Sequence, residues 1–495
     1  MKEYYRRWNL KHTNEKRFID AVEDVSEKDL DWFFRPWLHD TRVLDYGIKN
    51  FEKTKLEDNS WNISLDLVRY GNRDMPQLVE TILKDGTMHR IWWENHKFRI
   101  TDTFVYNVPE EPLYATLDPD AQTMDIDYRN NFSSKMPDER MLYRPCMNYQ
   151  PRNKYVLQYF PTIHYLDKDG YMPGVNFLKT YSSLENIESS INLGSKTQKI
   201  FYSINGWTKL PHSSIDQFNY QIYNLRGVEG ISISILKDIN SDNYGNSLNQ
   251  IEFGFYWNQV RDTSRTHLYD KGSIIVNSTK MRSSFAGINS ELSFDFTPFQ
   301  SSDWSFNRIT LINSFDQKLG LLGGRFRQVY GQIWSNQDGA PLQERFNVEG
   351  AGSGDLYKKS YLRDKTSFYG NKSFFSQYHL PGDANLRAFG NQGFAGVEQV
   401  FAITIEGFLS KSIAGINLEL AGFIDQGTLS GSKFVLGDKG FDSNTLVDYG
   451  IGLRLSTTIF GQPIFLRLDK PMGAKIDGID IEKMNDWIFS FKKSI

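Results

Sequence analysis

The stretch 379–427 constrains this chain more than any other. It holds a Gly-rich loop with one arginine, Leu386-Arg387-Ala388-Phe389, and then two alternating runs joined by a tight turn. On the first run Phe401, Ile403, Ile405 and Leu409 share a face, and Thr404, Glu406 and Phe408 share the other. On the second, Ile416, Leu418, Leu420 and Ile424 oppose Asn417, Glu419 and Asp425. Side chains alternate with period two along a strand, so each strand has one apolar and one charged face. A soluble sandwich buries its inner face, where charge does not belong. A membrane barrel inverts the pattern, with lipid outside and a polar lumen inside. The apolar face is therefore read as outside and the charged face as inside.

The alternation recurs over 154–495. Runs near 155–165, 169–180, 185–194, 197–208, 228–238, 248–260, 284–297, 303–316, 322–336, 397–409, 413–425, 445–457, 462–469 and 485–493 read as about fourteen antiparallel strands. Twelve or sixteen stay open, because 209–283 is weakly patterned and even counts are expected of bacterial barrels. Tight turns at 167–170, 317–320 and 410–413 alternate with longer loops, the longest being 337–396. Short turns at one end and long loops at the other are the asymmetry of an outer-membrane barrel. No run of about 18 apolar residues could form a membrane helix, whereas a spanning strand needs only about ten alternating ones. The aromatic content of 15% suits interfacial girdles.

These residues carry a resemblance. A long loop with an Arg-Gly-Phe-type tip, an inward Glu and a strand ending Phe-x-Asp-x-Gly resemble the outer-membrane surface-antigen barrels, which include assembly and two-partner-secretion translocators. The matching residues are Leu386-Arg387-Ala388-Phe389, Glu406 and Phe423-Ile424-Asp425-Gln426-Gly427, with Ala388 where the family has Gly. The resemblance implies that Arg387 folds back into the lumen and pairs with Asp425 or Glu406. Arg387, Phe389, Glu406 and Asp425 are thus the expected lumen lock of the loop. The segment 449–464 resembles the family's penultimate hairpin. The aromatic end, Asp486-Trp487-Ile488-Phe489-Ser490-Phe491, looks like terminal strands recognised by the outer-membrane assembly machinery.

Residues 1–45 are of another kind. Leu30, Phe33, Phe34 and Trp37 stand at helical spacing and read as a core stripe, with Ser26 as an expected N-cap, Asp29 completing a short capping box, and Pro36 as a late kink or early end. The pattern from Tyr4, Tyr5 and Trp8 through Glu23-Asp24 to Trp32-Phe33-Phe34 and Trp37-Leu38 is similar to the close of the catalytic domain in aminopeptidase-N-type gluzincin metallopeptidases. That family's zinc site is H-E-x-x-H plus a downstream Glu. None of the eight histidines here begins such a motif, and His89 and His96 lie in a strand-like run. The resemblance implies a zinc-bearing catalytic half upstream, so this chain holds no catalytic residue, metal ligand or cofactor. The chain opens on a helix-like segment and not on a signal peptide, which an outer-membrane protein needs, so the expectation is that either the chain is a truncated piece or the barrel reading fails.

Short turn-separated runs over 46–132 suggest a small antiparallel sandwich, with a hairpin turn at 84–87. The same peptidases carry an immunoglobulin-like domain at this place, and the end of 46–132 resembles its close. Asp118, Asp120, Asp125 and Asp127 lack EF-hand spacing and read as turn and cap chemistry. Residues 133–153, polar with three prolines, read as a linker before the barrel at 154–495. A net charge of −3 gives no basic surface for nucleic acid. The single Cys146 excludes an intrachain disulfide and a thiolate metal cluster. The Gly-rich run 349–355 sits in the long loop and reads as flexible chain, not a phosphate cradle.

Two functions follow. In the first, the barrel anchors a peptidase-like module in the bacterial outer membrane, with residues 1–132 periplasmic and outer-membrane lipid as partner. In the alternative, it is an assembly or translocation barrel that receives a peptide or protein client. A soluble all-β protein is a third class and would require the charged faces outside.

Overall fold

A computed structural model describes residues 1–94, 100–133, 139–143, 151–166, 169–225, 227–241, 247–261, 270–298, 302–336, 339–348, 383–389, 396–431, 443–459, 462–482 and 487–490. Cys146, His96 and the Gly-rich run 349–355 lie outside them. Two compact units emerge, Met1–Arg140 with Gln150–Tyr155, and Met141–Tyr149 with Val156–Ile495.

The first unit opens with α1 (Lys2–Trp8), α2 (Glu15–Ser26) and α3 (Asp31–His39). The cap of α2 is Asn14, whose side-chain oxygen accepts the Arg17 N–H at 3.0 Å. Ser26 does not start a helix as its residue type suggests. It closes α2, and its hydroxyl donates to the Glu23 carbonyl. The Glu23 carboxylate instead accepts the Leu30 N–H, and Asp29 accepts that of Asp31, so two acids cap α3. The aromatic stripe packs edge to face, Tyr4 on Phe18, Phe18 on Phe34 and Phe34 on Phe33, at centroid separations of 5.1, 5.7 and 5.2 Å. Among the described residues of the three helices only Ala21 is buried.

Six strands follow: β1 (Tyr46–Lys55), β2 (Trp61–Arg69), β3 (Gln77–Leu83), β4 (Met88–Trp93), β5 (Thr101–Val108) and β6 (Pro112–Leu117). They form two antiparallel three-stranded sheets, β1-β2-β5 and β4-β3-β6. Period-two alternation sends Ile63, Leu65 and Leu67 of β2 inward, to meet Val79, Leu83 and Trp93 of the other sheet. Each such aliphatic side chain contributes about 1.5–3 kcal/mol by leaving water. The turn 84–87 closes with Gly86 at φ 86°, where a side chain would be strained. The aspartates at 118–127 do cap chemistry. Asp118 accepts the N–H groups of Gln122 and Thr123, Asp127 holds Arg129, and Asp120 pairs with Arg90.

Then come β7 (Glu139–Tyr143), inside the stretch read as a linker, β8 (Tyr155–Leu166), β9 (Gly170–Tyr181), β10 (Glu185–Leu193), β11 (Ile200–Lys209), β12 (Gln217–Leu225), β13 (Val228–Ser241) and β14 (Ser247–Val260). They continue as β15 (Gly272–Phe285), β16 (Ile288–Phe296), β17 (Phe306–Leu319), β18 (Leu322–Ser335), β19 (Gln399–Ile413) and β20 (Ile416–Ser430). The last are β21 (Ser443–Ile459), β22 (Gln462–Ile476), β23 (Ile479–Asp480) and β24 (Ile488–Ser490). Strands β7 to β24 close into an antiparallel barrel. Both β23 and β24 pair with β22, so they are two pieces of one closing strand.

Every one of the fourteen runs read from the sequence coincides with a strand. Two more, β12 and β15, lie in the weakly patterned 209–283, and with β7, and with β23 and β24 taken as one closing strand, the described barrel has seventeen strands, an odd number where twelve, fourteen or sixteen was expected. On β15 the polar Asn277 and Thr279 interrupt the outward apolar face, whereas β12 does alternate, Phe218, Tyr220 and Ile222 against Gln217, Asn219 and Gln221, and went unread all the same. Turns at 286–287, 320–321 and 414–415 share one end of the barrel, and Val260 and Gly272, Ser335 and Gln399, and Ser430 and Ser443, the strand ends that the longer connections join, share the other. The tight turn at 167–170 opens on the long-loop end, opposite to the other two expected short turns.

Candidate functional site: the loop tip inside the barrel

Strands β19 and β20 fix which side chains see the lumen. Their registers alternate strictly, so Glu406 and Asp425 are 1% and 0% exposed while their neighbours Ile405 and Ile424 are 52% and 46% exposed. Arg467 of β22 is likewise buried. The acids and arginines look into the tube and the aliphatic edges look out.

The loop after β18 returns into this lumen. Its tip, 383–389, is buried throughout apart from Asp383. Leu386, Ala388 and Phe389 pack among Val400, Ala402, Leu429, Leu446 and Ala474, the inward residues of β19–β22 near the long-loop end. The lumen is therefore not polar along its whole length. It is apolar where the loop seats and charged beneath. Two backbone hydrogen bonds hold the tip against 347–348, Ala384 N–H to the Asn347 carbonyl and Leu386 N–H to that of Val348, both 3.1 Å. Asn385 sits at φ 52° and donates its amide to the Thr404 hydroxyl. Asparagine tolerates this left-handed backbone better than most residues.

Beneath the tip lies an ion network. Arg387 meets Asp425 at 3.0 Å, Asp469 at 3.0 Å and Glu406 at 3.3 Å. Glu406 in turn accepts from Arg325 at 2.9 Å and Arg454 at 2.5 Å. Arg467 holds Asp469, and Arg325 reaches on to Glu419 at 2.6 Å. A charge so far from water is tolerable only when its partners surround it, as they do here. The arrangement uses the guanidinium's planar fork, which can serve several carboxylates at once where an ammonium could not.

The Phe-x-Asp-x-Gly run explains itself in this geometry. Phe423, Asp425 and Gly427 are successive inward positions of β20. The Phe423 ring lies 3.7 Å from the Arg387 guanidinium carbon, a cation–π contact. Asp425 supplies the counter-charge. Gly427 leaves room for Leu386, since a Cβ there would stand 2.9 Å from its Cδ1. Ala388 fits where the resembling family has Gly, and its N–H donates to Asp448 at 3.2 Å.

Among the described residues a cavity of about 850 Å³ lies against β10–β17, lined by polar groups of both charges, among them Asn205, Gln221, Glu252, Glu291, Lys280 and Arg308. The loop's earlier segment borders it. Glu344 accepts from Tyr256 at 2.6 Å and from Arg308, which also pairs with Asp295 at 2.8 Å.

The structure thus brings Arg387, Glu406 and Asp425 into direct contact and sets Phe389 in the apolar seat above them. Sequence reasoning did not assign Asp469, Asp448, Arg325 or Arg454 to the site. A signal was present, because Arg454, Arg467 and Asp469 fall on the inward face by alternation alone. What alternation lacks is the height of each residue in the barrel. Among the described residues no group of three His, Cys, Asp or Glu is arranged to hold a metal ion.

No protein-family model matches the chain, and no curated protein matches it. Among solved structures it is similar to CdiB from Escherichia coli, with 12% identity over 69% of this chain and 65% of that one and a TM-score of 0.42. It is also similar to BamA from Haemophilus ducreyi lacking POTRA domains 1–3, with 9% identity, 99% and 97% coverage and a TM-score of 0.37. For CdiB from Acinetobacter baumannii the values are 9%, 90%, 57% and 0.32. The chain spans less than two thirds of the length of either CdiB. At these scores the likenesses carry no argument about function.

Proposed function

We propose that this chain is an outer-membrane barrel of the surface-antigen type that acts in protein assembly or translocation. One observation carries the reading: the Arg387 tip is drawn into the lumen and held by carboxylates from β19, β20 and β22. A barrel that served only as an anchor would need no such device, whereas a loop held by ion pairs has two definite states, seated and released. The polar cavity beside it offers a path for an extended, hydrated segment of a client. The apolar exterior of β13–β22 is the surface that acyl chains require. In this reading the lock is Arg387, Glu406 and Asp425, with Phe389 seating the tip. The helices and sandwich that precede the barrel in the chain take the place of a client-receiving module.

A second reading keeps the barrel as membrane anchor for a peptidase-like module, with zinc carried outside this chain. It is favoured by the helical segment, whose aromatic face packs on itself and leaves only Ala21 buried among its described residues.

Single-channel conductance in planar bilayers separates the two. Replacing Arg387 by Ala should raise conductance or its fluctuation several-fold if the tip is a gate. Conductance unchanged from the parent, with heat-modifiable gel mobility retained, would leave only the anchor reading.

A further inference from the structure

Three consecutive hairpins turn at the short-turn end, and no polar side-chain atom occurs in any of their tips. They are Phe285-Ala286-Gly287-Ile288 between β15 and β16, Leu319-Gly320-Leu321-Leu322 between β17 and β18, and Ile413-Ala414-Gly415-Ile416 between β19 and β20. Two-residue hairpin turns need positive φ, and in water Asn, Asp or Gly supplies it. Here Ala286 and Ala414 take φ 51° and 50°, a backbone that alanine adopts under strain. The same chain shows the aqueous choice elsewhere. The β22–β23 turn at the long-loop end has the same flanking isoleucines but reads Ile476-Asp477-Gly478-Ile479, and Asp477 there accepts the Thr445 N–H. At the short-turn end itself, the β9–β10 turn carries Ser182 and Ser183.

The apolar tips continue the outer face. Leu319 and Leu322 are 88% and 64% exposed, and Leu322 stands across from outward Leu409, whose own partner on β20 is Leu420. Inward neighbours are polar: Lys318 donates to Ser410, and Ser412 to Asn417. Lys411, outward and exposed, stands one step from Ile413. The apolar run from Phe401 to Ile413 measures about 40 Å along the strand, or about 30 Å after a barrel strand's usual tilt. An apolar band is about 25 Å tall, so the tips reach its far edge and the headgroup level beyond.

We propose that the β15–β20 rim is a lipid-binding surface. Its outward tip residues sit at the acyl–headgroup boundary of the leaflet on the short-turn side, and Lys411 extends its ammonium to the lipid phosphates. This rests on the membrane reading above. The alanines keep a polar side chain out of that boundary, and the exposed leucines extend the contact around three hairpins.

The test uses the full chain, with Cys146→Ser, purified and reconstituted in phosphatidylethanolamine–phosphatidylglycerol vesicles. Single cysteines carry a bimane label in Leu321→Cys, Ala286→Cys, Ser183→Cys and Gly422→Cys. Gly422 faces outward at mid-strand, and an added Cβ there meets nothing within 4 Å. Acyl-brominated lipid should quench the labels at 321 and 286 several-fold more than the label at 183, while aqueous iodide shows the reverse order. Iodide reaching 321 and 286 as readily as 183, with 422 still quenched by lipid, would overturn the lipid-binding rim alone. Labels at 321 and 286 shielded only on adding a second protein would also overturn it, in favour of a protein partner. Failure of lipid to quench 422 would instead sink the membrane reading itself.

Discussion

The guanidinium of Arg387 and the carboxylate of Asp425 meet 3.0 Å apart with neither side chain open to solvent, although 38 positions separate them in the chain. One belongs to a loop and the other to a barrel strand, so the pair ties a mobile class of element to a rigid one. Its use is positional, because a buried pair fixes geometry more surely than it adds net stability.

Removing the cation should therefore cost more than the pair is worth. In Arg387→Ala three carboxylates lose a shared partner, and the loss should be about 3–5 kcal/mol, the range for an uncompensated buried charge. Arg387→Lys should recover only part of it, since an ammonium cannot span Glu406, Asp425 and Asp469 together. The temperature at which the barrel loses its compact gel mobility reports both.

Glu406 is the hub. It accepts from Arg325, Arg387 and Arg454, whereas Glu419 accepts from Arg325 and the Asn417 amide. Glu406→Gln should destabilise by about 2–4 kcal/mol and Glu419→Gln by about 1 kcal/mol, because a buried arginine left short of charge is penalised more than one weakened contact. Equal shifts in the same gel-mobility measurement would remove Glu406 from this position.

Gly427→Val should unseat the tip without touching any charge. The new side chain would occupy the space of Leu386 Cδ1. Proteolysis within 383–389 should become several-fold faster, while Gly422→Val, whose position faces outward with open space, should leave it unchanged.

In the sandwich, burial and then the nearby Asp45 carboxylate push Asp125 up to about 7. Its oxygens accept the N–H groups of Tyr46 and Asp127, but these bonds do not offset the loss of water. A folded-state value above the unfolded one means that the folded state binds the extra proton between about pH 4 and 7. Stability is then full below about pH 4 and falls as pH rises to about 7, by up to about 4 kcal/mol. Hydrogen exchange at β2 and β3 amides, corrected for intrinsic rates, should show that slope. Asp125→Asn should flatten it, and a slope of opposite sign would refute the assignment.

The barrel strands were legible because two-faced alternation is a local property, written in residues such as Ile405 beside Glu406. Where polar residues interrupt the outward face, as Asn277 and Thr279 do on β15, the signal faded, while β12 and the short β7 went unread for no such reason. The tip residues were legible only through their resemblance to a family of barrels, since nothing local marks Arg387 as buried.

Sequence by itself determined which face of each strand is apolar and which carries charge, because period-two geometry sorts side chains without reference to distant chain. Tertiary structure alone decided the partners. Asp469, 82 positions from Arg387, joins the site because barrel closure and strand stagger bring their heights together. The apolar seat around Leu386 and Phe389 arises in the same way. Ion pairing acts over a few ångströms of space, and only the closed sheet converts distance along the chain into distance in space.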